Sequence, residues 1–456
     1  MLKHCIYVLL AVMLPARGFP APVQSVPDSS APHLTLRAAE ALALQQNPMT
    51  RVAAAGLQVA EASLQEARAA RLPGLAFRET FTNSNNPVYV FGSLLEQGQF
   101  GPQNFAIDSL NNPGSLSNFR SSLSLRLPLF DRFQTGSRVA VADIRRTQAD
   151  AAAEWTRQQL RLQVVEAYFG YLVAGRRREV AEQAVRSAEA DLANIRAKVE
   201  TGVAVASDQL AMEVQLADFR QQLVQAEGEE RIALAALNTT LGLPVEAPHQ
   251  VEDLLVEREF PSEAYEALLA QALANRPDYL NATREVDSAR HQLRGARGQY
   301  WPDLNLFAEY GHSGQDWGSG SADFAVGASL NFNLLDFGRG ARIEQVRAGI
   351  AEAQARADLA ASQVRLEVLQ AAESLRSAQA RVRLAATAAD QAAEALRIVQ
   401  DRHQVGLTTI TEVLRAQTAL LQTRLGLVSA RFEYFRSYAR LRMATGSLHD
   451  LSAFSR

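Results

Sequence analysis

The chain has 456 residues, with 46 basic and 49 acidic side chains and a formal net charge of -3. This length suits two or three domains, and the near balance of charge lacks the basic surplus that a nucleic-acid partner needs, so none is expected. Lysine occurs only at Lys3 and Lys198, which reflects genome composition, and Cys5 is the only cysteine.

Residues 1–18 read as a secretory signal. Lys3 and His4 begin it, the apolar run 6–14 is too short to span a bilayer, and Ala16-Arg17-Gly18 offers small residues for cleavage after Gly18. Cys5 lies inside this segment, so the mature chain is expected to lack disulfides and thiol chemistry. It precedes the apolar run, which does not indicate a lipid anchor. After an extension over 19–35, no later stretch reaches the ~18 apolar residues of a membrane-crossing helix. An exported chain of this kind is periplasmic, secreted, or an outer-membrane barrel.

A first unit spans 36–244. A helix is expected over 36–70, ended by Pro73. Two alternating strands follow, over 75–82 and 119–130. Leu123, Leu125, Leu127 and Leu129 share one face of the second, opposite Ser122, Ser124 and Arg126. Between them 83–118 reads as a long solvated loop with some aromatic packing, with a lid or receptor surface as the alternative. A very long helix over 137–201 contains no proline. It turns at a glycine-containing tip and returns to Leu241-Gly242-Leu243-Pro244. An acidic link over 245–261 leads to a second unit, 262–447, and a tail, 448–456.

The second unit repeats the first. A helix over 262–298 ends before Pro302, strands follow over 303–311 and 324–335 around a shorter loop, and a long helix covers 341–405. Ala70-Arg71-Leu72-Pro73-Gly74-Leu75 matches Gln299-Tyr300-Trp301-Pro302-Asp303-Leu304, and Leu127-Pro128-Leu129-Phe130-Asp131 matches Phe332-Asn333-Leu334-Leu335-Asp336. The same order twice over indicates two copies of one unit. The strand alternation suits a half-buried sandwich strand as well as a barrel wall. The long helices favour the barrel: ~64 residues extend ~96 Å at 1.5 Å per residue, too long for a compact domain. Four strands cannot close a barrel, and an open sheet edge in lipid is costly, so several chains must share one. Two chains give too narrow a duct. Three are expected, and strand count alone leaves four open.

The tandem copies, the proline-led strand pairs, the Leu-Phe-Asp and Leu-Leu-Asp exits and the glycine tips resemble the TolC family of outer-membrane efflux proteins, over nearly the whole mature chain. The resemblance implies a mixed α and β membrane protein. Long coiled-coil hairpins and four strands per chain would build a homotrimeric 12-stranded β-barrel, continuous with an α-helical periplasmic tunnel. It implies placement in the Gram-negative outer membrane, in contact with its lipid. It also implies a periplasmic adaptor (membrane fusion) protein and an inner-membrane pump of the RND or ABC type.

In the family the hairpin tips meet the adaptor, which points to Gly202, Val203, Val405, Gly406 and Leu407. Glycine permits the turn, Ser207 or Thr411 could cap the returning helix, and an acid in its first turn suits the helix dipole. An ordinary capped hairpin has the same features, but exposed Val203 and Leu407 have no core to fill. The family's periplasmic gate points to Asp208, His403, Thr408, Glu412 and Arg415. Thr408, Arg415 and His403 depart from the best-studied pattern of Arg, acid and Tyr. Glu412 either rings a constriction, paired with Arg415 across subunits, or forms an exposed i,i+3 pair worth a few tenths of a kcal/mol.

No catalytic set, cofactor motif or metal-ligand spacing is present. Asp336-Phe337-Gly338 lacks every companion kinase motif, and Gly311-His312-Ser313-Gly314 is not a nucleophile elbow. No enzyme activity is expected. A periplasmic adaptor would show one hairpin and a lipoyl-like block, and a pore-free coiled coil would lack the four amphipathic strands. The expected function is the outer-membrane channel of a tripartite efflux system for drugs or other toxic compounds. The alternatives are a type I protein secretion duct or metal-ion efflux.

Overall fold

The computed structural model describes residues 33–255, 258–261 and 263–455. The expected signal over 1–18, Cys5 and most of the extension lie outside them. The chain begins with β1 (His33–Leu34), α1 (Leu36–Gln46) and α2 (Pro48–Ala69). Residues 36–70, expected as one helix, are therefore two. Pro48 has no N–H to donate and pushes Asn47 into extended backbone, φ -64° and ψ 132°. Asn47 uses the break: its Oδ1 accepts from the Met49 N–H at 2.9 Å.

The order continues with β2 (Gly74–Ser84), α3 (Pro87–Glu96), a 3-10 turn at Pro102–Phe105, α4 (Ile107–Asn111) and β3 (Leu116–Phe130). The first hairpin is α5 (Gln134–Glu200) and α6 (Ala206–Leu241). After β4 (Gln250–Val251), the second copy opens with α7 (Tyr265–Asn275) and α8 (Pro277–Arg297), again split before a proline. Then come β5 (Asp303–Gly314), β6 (Ser321–Asn331), α9 (Arg339–Gln404), α10 (Ile410–Ala444) and α11 (Ser452–Ser455). The copies correspond at Pro48 and Pro277, at Pro73 and Pro302, then at Gly202 and Gly406 and at Gly242 and Gly446. The spacing shifts because the first copy carries some two dozen extra residues between its two strands.

The strands form one antiparallel sheet in the order β2-β3-β5-β6. Its register places Phe77, Leu123, Tyr310 and Phe324 in one row and Leu75, Leu125, Ala308 and Val326 in the next. The opposite face carries Arg78, Ser122, Ser124, Arg126, Glu309 and Asp323. β6 stops at Asn331 rather than 335. Its partner β5 begins at Asp303, opposite Asn331, and offers nothing beyond. Among the described residues, β2 and β6 each leave one edge unpaired.

Asp131 and Asp336 explain the two matching strand exits. Asp131 Oδ2 accepts the Thr135 N–H at 2.5 Å, and Asp336 Oδ1 accepts the Gly338 N–H at 3.0 Å, so each carboxylate starts a long helix. α5 and α9 have 67 and 66 residues, about 100 Å each.

The main core is a collar midway along the hairpins. Phe169 and Phe435 meet at 4.6 Å between ring centroids, and Phe260 stacks on Tyr438 at 3.9 Å. Leu254, Leu255, Leu448, Leu451 and Phe454 fill it, so residues expected in a link and a tail are structural. The Tyr168 hydroxyl lies 3.0 Å from the carbonyl oxygens of Leu34 and Glu252, pinning the parallel β1–β4 pair to α5. The returning helices are locked to the proline breaks in the same way in both copies. Asn47 Nδ2 donates to Thr240 O at 2.8 Å, and Arg276 donates to Ala444 O at 3.3 Å.

Gly242 ends α6 at φ +77°, with the Gln46 carbonyl 2.9 Å from where a Cβ would stand. Gly242→Ala combines a left-handed backbone with this clash and should cost about 1–3 kcal/mol. Gly56, inside α2, has open space at its Cβ position, so Gly56→Ala should gain up to about 1 kcal/mol. Thermal unfolding followed by circular dichroism should therefore move in opposite directions for the two variants.

Candidate functional site: the hairpin tips and the joint behind them

Both hairpins turn in the same way. Gly202 and Gly406 adopt φ +74° and +77°. The Val203 N–H donates to Lys198 O at 2.8 Å, and the Leu407 N–H donates to Arg402 O at 2.9 Å. This is a glycine-centred helix stop whose following residue normally covers an apolar side chain three or four positions back from the helix end. Here the residue behind each turn is Lys198 or Arg402, so Val203 and Leu407 lack that partner. They stay 75% and 68% exposed, with Val405 exposed beside them.

The capping expectation is corrected. Val205 and Thr409 occupy the N-cap positions, with no side-chain cap bond, and Ser207 and Thr411 are the second residues of their helices. The N-terminal N–H groups instead use tight backbone turns, Asp208 N–H to Val205 O at 3.0 Å and Glu412 N–H to Thr409 O at 3.2 Å. Asp208 and Glu412 do sit in the first turns, where the dipole favours an acid.

The gate candidates are not gathered in one place within the chain. Arg415 donates to Glu412 at 3.0 Å on the same helix, both side chains being at least half exposed. Asp208 has no side-chain partner among the described residues, and Thr408 is half-buried. His403 lines a cavity of about 180 Å³ between the hairpins, with Asp191, Lys198, Gln400, Ile410 and Val413.

Sequence reasoning missed the centre of this cavity. Asp191 on α5 accepts hydrogen bonds from Gln417 on α10 and, at 3.5 Å, from Gln400 on α9. It therefore ties the first hairpin to both helices of the second. An apolar cluster of Ala188, Leu192, Ile195, Met212, Ile410 and Val413 surrounds this polar point. Burial pushes the Asp191 carboxyl up from its ordinary range, against the lowering effect of the two amides and of His403. Gln417 is buried, and its Oε1 finds no partner among the described residues. The available signal was an acid set among apolar positions 185, 188, 192 and 195, where a solvated helix face would have none.

The sheet and the hairpins thus form one continuous wall, apolar outside at the strands and tipped at the far end. The outer membrane efflux protein family model matches residues 41–243 and 268–447. The chain belongs to this family. Outer membrane efflux protein BepC of Brucella suis is 26% identical over 345 residues, covering 72% of each chain. Alkaline protease secretion protein AprF of Pseudomonas aeruginosa is 25% identical over 346 residues, covering 73% of this chain and 70% of its own. In fold, the CmeC outer membrane channel of Campylobacter jejuni aligns with TM-score 0.75 at 16% identity, over 90% of this chain and 85% of that one. The protein is an outer-membrane channel with the fold of the trimeric efflux channels.

The raised Asp191 carboxyl sets a direction for pH. Its contribution to folding is full below the ordinary aspartate range and is lost as pH rises through the folded-state value. Asp191→Asn removes that loss and adds an amide N–H within the same cluster. The variant should therefore be more stable than the parent at neutral pH, with the difference shrinking toward pH 4. Unfolding midpoints measured across that range check the sign.

Proposed function

We propose that three copies close one 12-stranded barrel and form the outer segment of a tripartite efflux machine, passing small toxic molecules outward from an inner-membrane pump by way of a periplasmic adaptor. The proposed organisation has a signal over 1–18, repeats over 36–244 and 262–447, and a link between them. The observation that carries the reading is the pair of tips. Two equivalent turns present Val203, Val405 and Leu407 to solvent at the end of about 100 Å of helix. The unpaired edges of β2 and β6 support three copies, since each unsatisfied backbone group in hydrocarbon costs several kcal/mol. The likeness to AprF favours a second reading, in which the same duct serves protein secretion.

Glu412 and Arg415 are proposed to stand at the narrow inner end, with Asp208, His403 and Thr408 beside the same hairpin turns. Three copies of Glu412 would favour cations there. A photo-crosslinker at Leu407 should capture a periplasmic adaptor in cells, and the pump associated with that adaptor separates efflux from secretion. Capture of nothing but its own subunits, despite good assembly, would count against docking. In planar bilayers Glu412→Ala should reduce cation preference, and unchanged conductance and selectivity would remove the acidic ring.

A further inference from the structure

The first outer loop does not extend away from the strands. Its helix α3 folds back onto the polar face of the sheet at the end remote from the hairpins. The Tyr89 hydroxyl donates to Thr82 O at 3.1 Å, and Gln97 Nε2 donates to Asn118 Oδ1 at 2.9 Å and to Ser117 O at 3.0 Å. Glu96 lies 3.8 Å from Arg120, which Asp323 holds at 2.8 Å and Ser313 Oγ at 3.1 Å. Asn118, Arg120, Ser313 and Asp323 all belong to the polar face. Ser313 is fully buried there and Asn118 nearly so.

The helix is apolar on the side turned away from this wall. Val90 and Ser93 are buried, whereas Val88 and Leu95 are 82% and 52% exposed; Phe91 between them meets Phe100 edge-on at 4.7 Å between ring centroids and keeps its other side open. At 100° per residue, positions 88, 91 and 95 lie opposite 90, 93 and 97. In a closed barrel the polar face is the lumen, so this stripe points toward the pore axis. Twelve strands spaced about 4.8 Å and tilted about 40° give a backbone radius of about 12 Å. A helix about 10 Å wide standing on that wall reaches nearly to the axis.

We propose that the α3 helices of the three copies meet inside the outer mouth through Val88, Phe91 and Leu95, giving the duct a second closure opposite the hairpin tips. The inference rests on the trimeric duct reading. The occupant of each stripe is the same stripe of another copy. The ring that joins the sheets places the three helices in one lumen; Phe100 of the same loop covers one side of Phe91, while Val88 and Leu95 stay open to another copy.

The test uses full-length protein in intact cells, with Cys5→Ser as background. Single Val88→Cys and Leu95→Cys chains are oxidised and compared with Leu123→Cys on the lipid-facing side. At least ten-fold more covalent dimer is expected from the two stripe positions. A second measurement follows labelling of Ser124→Cys, on the luminal wall further in, by an external 5-kDa polyethylene-glycol maleimide. Adding Val88→Asp and Leu95→Asp should speed labelling at least ten-fold. If native trimer forms but neither stripe position cross-links and Ser124→Cys labels equally fast in both backgrounds, the outer closure is wrong and the duct reading stands. If no trimer forms, both fall together.

Discussion

The rest of the structure depends on one constraint: backbone hydrogen-bonding groups in hydrocarbon need partners, and four strands cannot supply them all. The β2–β3–β5–β6 sheet satisfies its interior and leaves a free edge on each side. Only other copies can pair those edges in a way that also keeps every apolar row outside. Once the sheet must join a ring, the chain leaving β3 and β6 starts at the ring's rim, and the helices must continue the wall. Hence the carboxylate at each exit, Asp131 or Asp336, which begins a long helix where the strand ends.

Helices of 67 and 66 residues cannot be held by their ends alone. The aromatic collar around Phe169, Phe260, Phe435 and Tyr438 grips them midway, and the proline breaks at Pro48 and Pro277 give shorter helices that pack beside them. Beyond the collar toward the tips, packing thins to the cluster around Leu192 and Met212. The polar joint at Asp191 sits within that thinner region. The half-buried Asp191 carboxyl is there the polar tie between the two hairpins.

Much of this was legible in the sequence. Strands show in alternating Leu123–Leu125–Leu127, long helices in the absence of proline, and tips in glycine, because each follows from local chemistry. The breaks at Asn47–Pro48 and Arg276–Pro277 were legible too but were outweighed by the helical pattern on both sides. Asp191 was not, since its burial depends on a second hairpin some two hundred residues away. The same holds for α3, whose landing place on Asn118 and Arg120 is set by strand register, and for Phe260 and Phe454, whose aromatic partners are remote in sequence. The tip residues were placed by local turn chemistry, and the Glu412–Arg415 pair by its i,i+3 spacing.

The collar also has a consequence for timing. Its walls come from α5 and α10, but Leu448, Leu451 and Phe454 fill its centre. These side chains are made after both hairpins. A chain emerging from synthesis can form its local helical turns early, but it cannot close this core until residue 454 has arrived. The collar is therefore completed last, after both hairpins have been made.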